Sequence, residues 1–129
     1  MSIERTVSAP YMCDVRHLPP IFVVSLDVEL NWGVHDSMPD GKYESNIRGE
    51  RQATEAILDI FEEFGIHATW AIVGFLFFED KAQLLEHLPA TRPQYSNRVF
   101  CPYRLIDGIG FCESEDPLHL GPSLVEMIE

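Results

Sequence analysis

Read for its hydrophobic pattern, the chain first becomes regular at 21–34, IFVVSLDVELNWGV. This apolar run is bounded by Pro19-Pro20 on one side and Trp32-Gly33 on the other, and it predicts a buried parallel strand that ends in a loop. Between Trp32 and Ser45 the chain is rich in Gly, Asp, Pro and Ser, with Asp40-Gly41 as a turn signal. A loop over the strand's end is expected there. The period then changes. Ala53, Ile57, Ile60, Phe61 and Phe64 recur at helical spacing, while Arg51, Glu55, Asp59, Glu62 and Glu63 fill the other faces. This predicts a helix over roughly 47–64, capped by Ser45 or Asn46 and ended by Gly65 in the left-handed conformation. A β-favouring run from Ile66 to Gly74 predicts a second strand. Strand, helix, strand in this order is a βαβ unit, so the strands should be parallel and joined by a right-handed crossover.

Beyond Gly74 the pattern weakens. Phe75, Phe77 and Phe78 are expected to pack in the core, with a sugar-binding surface as the alternative use of such a cluster. Asp80 and Gln83 have the spacing of a capping box ahead of Leu84, Leu85 and Leu88, which predicts a short helix stopped by Pro89. From Ala90 to Pro117 the chain is polar and without period, and Gly108-Ile109-Gly110 reads as a turn. A stretch of that length predicts either a functional loop or an excursion whose partner surface lies elsewhere. The last residues, opening at Pro122, begin like a helix. An irregular lead-in over 1–20 followed by one unit over 21–129 is the expected organisation. Two parallel strands with a few helices cannot cover both faces of a sheet. The chain is therefore expected to be the first part of a larger α/β protein, or a remnant that resembles one.

Composition narrows the classes. A hydrophobic fraction of 46% with 11% aromatics supports a packed core, and no apolar run approaches the roughly 20 residues of a membrane helix. The N-terminal residues mix charges with prolines and lack the apolar segment of a secretory signal, so a cytoplasmic protein is expected. The formal charge of −12 argues against nucleic acid and against an anionic membrane as partners. Cys13, Cys101 and Cys112 are odd in number and form no C-x-x-C pair, which fits a reduced compartment and signals neither a disulfide framework nor a thiolate zinc site.

Candidate chemistry is confined to Asp27 and Glu29. Side chains alternate across a strand, so these two acids should emerge on the same side, near the end where α/β folds deliver functional groups. Either they are solvated acids on an edge strand, or they hold a metal or take a proton in a cleft. Two like charges buried together need water or a cation. His35 could approach the same place across the Trp32-Gly33 loop, although a loop histidine is more often a surface residue. His17, His67, His87 and His119 add little, and no H-x-x-x-H pair exists in the chain.

The run 24–34, VSLDVELNWGV, the helix ending LDIFEEFGI over 58–66 and the run ATWAIVG over 68–74 together resemble the opening of the polysaccharide deacetylases. These are carbohydrate esterases with a distorted β/α barrel. The resemblance covers about 22–78 and implies an α/β fold, a partial distorted β/α barrel with parallel strands and crossover helices. It implies Asp27 as general base and Glu29 as a ligand of a divalent metal, usually zinc. The family's second acid directly follows the first, a place held here by Val28, and acid-x-acid relatives move that role one residue on. The implied reaction is deacetylation of an N-acetylated sugar or polysaccharide, a carbon–nitrogen hydrolysis with a carbohydrate as partner. Without the histidine pair that completes the family's metal site, this chain alone is expected to be inactive. The alternatives are a non-catalytic saccharide-binding module with a cleft near Trp32 and Phe75, or an interaction domain that self-associates through an open sheet edge.

Overall fold

The computed structural model describes residues 19–38 and 41–129. The expected lead-in over 1–18, with Cys13 and His17, and the Asp40 half of the turn signal lie outside the described residues.

Strand β1 (Val24–Val28) and strand β2 (Ala68–Ile72) pair in parallel, from Val24 opposite Ala68 to Val28 opposite Ile72. One further backbone bond, from the Val73 amide to the Val28 carbonyl at 3.0 Å, carries the pairing past the end of β1. The connection between them holds two helices, α1 (Asn31–Val34) and α2 (Glu44–Phe64). This is the strand, helix, strand order expected from the hydrophobic periods, in a mixed α/β arrangement with a two-stranded parallel sheet. The strand is shorter than the apolar run, and Ile21, Phe22 and Val23 extend ahead of it largely exposed.

A fully buried strand was the expectation, and β1 departs from it. Val24 and Leu26 are half-buried and Val28 is buried, but the alternate positions Ser25 and Asp27 are exposed. In β2, Thr69 and Ala71 are likewise exposed, so one face of the sheet lies open among the described residues. Parallel strands read as continuous apolar runs because they are normally covered on both faces, and here only one is.

Helix α2 starts three residues earlier than its apolar period suggests. Its N-cap is Tyr43, without a side-chain cap, rather than Ser45 or Asn46. Its other end follows the expectation closely. Gly65 adopts φ 61°, the Ile66 amide reaches the Phe61 carbonyl at 2.8 Å and the Gly65 amide reaches Glu62 at 3.3 Å, which is a Schellman closure.

After β2 a 3₁₀ turn over Gly74–Phe77 buries Leu76, and helix α3 (Lys81–Glu86) follows. The Asp80 carboxylate accepts from the Gln83 amide at 2.8 Å, while the Gln83 side chain accepts from the Glu79 amide at 2.7 Å, a capping box closed one residue early. Of the three phenylalanines, Phe75 and Phe78 pack against the core and Phe77 stays half-exposed.

The region from Ala90 to Pro117 has no regular helix or strand of its own; residues 90–100 are exposed throughout, whereas the rest packs against the core. Short 3₁₀ turns over Arg98–Phe100, Pro102–Arg104 and Ile106–Gly108 bring Ile106 and Ile109 into the core. Lys81 Nζ donates to the carbonyls of Asp107 and Ile109 at 2.9 and 3.0 Å, and a single bridge joins Asp80 to Cys112. Helix α4 (Pro122–Ile128), with Pro122 at its first position, then packs against α2 and the 74–77 turn. Leu76, Leu84, Leu120 and Leu124 are the most completely buried side chains. No helix among the described residues is long and apolar enough to cross a membrane.

Candidate functional site

The chain leaves β1 through a tight turn. The Trp32 amide donates to the Glu29 carbonyl at 3.1 Å, and Leu30 between them has φ 48° and ψ −140°. That is the first central position of a II′-type turn, where glycine is usual. A β-carbon in that region costs on the order of 1–3 kcal/mol.

The surroundings hold the turn against this strain. The Leu30 side chain is buried in the core. The Asn31 amide donates to the Leu118 carbonyl at 2.9 Å, and Trp32 Nε1 donates to the His119 carbonyl at 2.8 Å. Asn31 Nδ2 donates to His119 Nε2 at 2.8 Å, and His119 Nδ1 donates to the Asp116 carboxylate at 2.9 and 3.0 Å. An amide NH₂ can only donate and an ionised carboxylate can only accept, so this chain of bonds selects one tautomer of His119, with its proton on Nδ1. Burial pushes the Asp116 carboxyl up. The bonds from His119, the Gly110 amide and the Leu118 amide together outweigh burial and hold the carboxyl below its ordinary value.

Asp27 is exposed, on the open side of the sheet, and Glu29 is half-buried just past the strand. Glu29 lies across Gly33, where any β-carbon would collide with its carboxyl group. Both acids line one cleft of about 450 Å³ between the end of β1 and helix α2, and Glu50 of α2 lines it too. Burial raises Glu50 above its ordinary value, and the nearby Glu29 charge adds to the rise. Arg51 and the backbone amides of Leu30 and Glu29 oppose it without cancelling it.

The sequence-expected residues are therefore partly brought together. Asp27 and Glu29 share a cleft at the carboxyl end of β1, whereas His35 lines a separate one with Asn31 and Arg104. No group of three or more His, Cys, Asp or Glu side chains gathers as a metal-holding set among the described residues. A catalytic zinc site usually has three protein ligands, so the described residues do not complete one. Cys101 and Cys112 are free thiols, and His67 and His87 are exposed.

Two features of the site escaped sequence reasoning. Glu50 sits among the polar residues of an amphipathic helix, and nothing in its spacing points to Glu29, 21 positions earlier. The Asp116-x-x-His119 spacing was visible, but its partner Asn31 is 88 residues from His119 and only folding brings them into contact.

No family model matches the chain, and neither does any curated protein or solved structure.

Proposed function

We propose that the chain is part of a metal-dependent hydrolase of the polysaccharide deacetylase kind, acting on the acetamide of an N-acetylated sugar, and that it is inactive alone. The observation that carries this reading is that Asp27 and Glu29 line one cleft at the carboxyl end of a parallel strand. Its support is the βαβ order, the outer edges of the two-stranded sheet, unpaired among the described residues, where further strands of a barrel would add, and the run of residues that resembles the family's opening. On this reading the fold is a partial distorted β/α barrel.

Asp27, exposed and free to meet substrate, is the group that accepts a proton from the attacking water. Glu29, braced against Gly33, is one metal ligand, and the rest must come from outside the described residues. Zinc, where bound, supplies polarisation of the acetamide carbonyl and of water.

Calorimetric titration with zinc tests the reading. The expected result is weak binding that disappears in the Asp27→Asn, Glu29→Gln double variant. Binding that survives the double variant would overturn the assignment of these two acids. The incomplete ligand set favours a second reading, a non-catalytic saccharide-binding domain. Titration with an N-acetylated oligosaccharide, followed by the fluorescence of Trp32 and Trp70, separates the two. Saccharide binding without zinc binding selects the second.

A further inference from the structure

Charge is spread unevenly along this chain. Residues 87–106 hold three arginines, Arg92, Arg98 and Arg104, and no Asp or Glu. Residues 52–80 are the reverse, with Glu55, Asp59, Glu62, Glu63, Glu79 and Asp80 and no Lys or Arg. Most other cations among the described residues are already engaged. Arg48 pairs with Glu44, Arg51 pairs with Glu113, and Lys81 donates to the carbonyls of Asp107 and Ile109.

Both stretches lie at the surface, and each carries apolar side chains beside its charges. Residues 90–100 are exposed throughout, Arg92 and Arg98 among them. The Arg92 guanidinium rests over the Tyr103 ring, 5.1 Å from its centroid, and Arg98 opens a 3₁₀ turn whose Val99 amide is capped by Asn97 at 3.0 Å. Val99 and Phe100 of that turn are exposed too. On α2, at roughly 100° per residue, Glu55, Asp59, Glu62 and Glu63 fall within about a third of the helix circumference. All four are exposed, and the exposed Ile60 and Phe64 lie beside them. No ion pair among the described residues joins the basic stretch to this face, so the two do not neutralise each other within one molecule.

We propose that the two surfaces dock between copies of this chain, the stretch 92–100 of one copy on the acidic face of α2 of the next. The guanidiniums of Arg92 and Arg98 meet the α2 carboxylates, and Val99 and Phe100 cover Ile60 and Phe64. The formal charge of −12 sets whole copies against one another at long range. At physiological salt that repulsion is screened beyond about 8 Å, whereas opposite charges in contact still attract. Two different surfaces make a heterologous contact, which runs on from copy to copy unless the geometry closes it. The proposal does not depend on the deacetylase reading, because neither Asp27 nor Glu29 takes part.

Sedimentation velocity of the full chain at rising concentration tests it. Association with a dissociation constant on the order of 100 μM is expected at about 0.15 M salt. It should be lost at about 1 M salt, where the screening length falls to about 3 Å. Two double variants then neutralise one surface each, Arg92→Gln with Arg98→Gln, and Asp59→Asn with Glu62→Gln. All four residues are exposed, so circular dichroism should show an unchanged fold. Each double variant alone should self-associate about tenfold more weakly or not at all. Their equimolar mixture should regain the contact but stop at one-to-one pairs, because each variant keeps a single working surface. A wild-type chain that stays monomeric, variants that associate as well as wild type, or a mixture no stronger than either variant alone would each overturn the proposal. If the monomeric chain instead binds a polyglutamate peptide through Arg92 and Arg98, the basic stretch serves an acidic protein of another kind and the proposal also fails.

Discussion

The two halves of the molecule differ in a way opposite to their regularity. The first half holds both strands and the longest helix, yet its sheet is open on one face, and α2 leaves Ile60 at 50% and Phe64 at 66% exposure. The second half is mostly short turns, yet it supplies Ile106, Ile109, Leu120, Leu124 and Val125 to the core. Local periodicity makes regular elements, but burial depends on what packs against them. The irregular half is held by side chains that bond to its backbone. Arg51 of α2 donates to Glu113 Oε1 at 2.9 and 2.5 Å and to the carbonyls of Pro117 and Leu120 at 3.0 and 2.9 Å. Glu113 in turn accepts from the Ser123 amide at 3.1 Å, at the start of α4.

The contrast is broken most directly by truncating apolar side chains in each half. Leu124→Ala, in the irregular half, should cost about 2–5 kcal/mol in urea unfolding, because it removes a wholly buried side chain. Phe64→Ala, in the regular half, should cost less than about 1 kcal/mol despite the larger side chain, since most of it already meets water. Equal losses would mean that exposure does not distinguish the two regions.

A smaller effect is expected from acid. Burial raises Glu113, but bonds from Ser123 and Arg51, the Ser123 amide and the Arg51 charge outweigh it, so its carboxyl titrates below the ordinary 4.5. Asp116 likewise titrates below 3.8. Both carboxyls are thus depressed in the folded state. Their stabilisation is present above those ordinary values and is lost as pH falls through the folded ones. The melting temperature should drop as pH falls below about 4.5, and Asp116→Asn should flatten that drop while lowering stability at neutral pH.

The smallest effect carries the opposite sign and belongs to the regular half. Glu50 is raised in the folded state, so its favourable contribution exists below its ordinary 4.5 and is lost as pH rises through the folded value. At neutral pH its charge opposes folding. Glu50→Gln should therefore raise stability at pH 7, read from thermal unfolding, with no gain at low pH.

Several elements were legible from residue order because their causes are local. The period of α2, the left-handed closure at Gly65, the Asp80–Gln83 cap and the proline opening of α4 each depend on residues a few positions apart. Parallel pairing of the strands followed from the intervening helix. Contacts across long separations were beyond the reach of such local causes. The bond from Asn31 to His119, the approach of Glu50 to Glu29 and the burial of Ile106 and Ile109 all join distant segments. Residue order alone determined the kind and order of β1, α2, β2, α3 and α4, though not α1 or every boundary, since backbone preference and hydrophobic period act within one or two turns. Which polar groups face one another, and which apolar ones escape water, was decided only when the segments packed, because desolvation and hydrogen-bond pairing depend on neighbours in space.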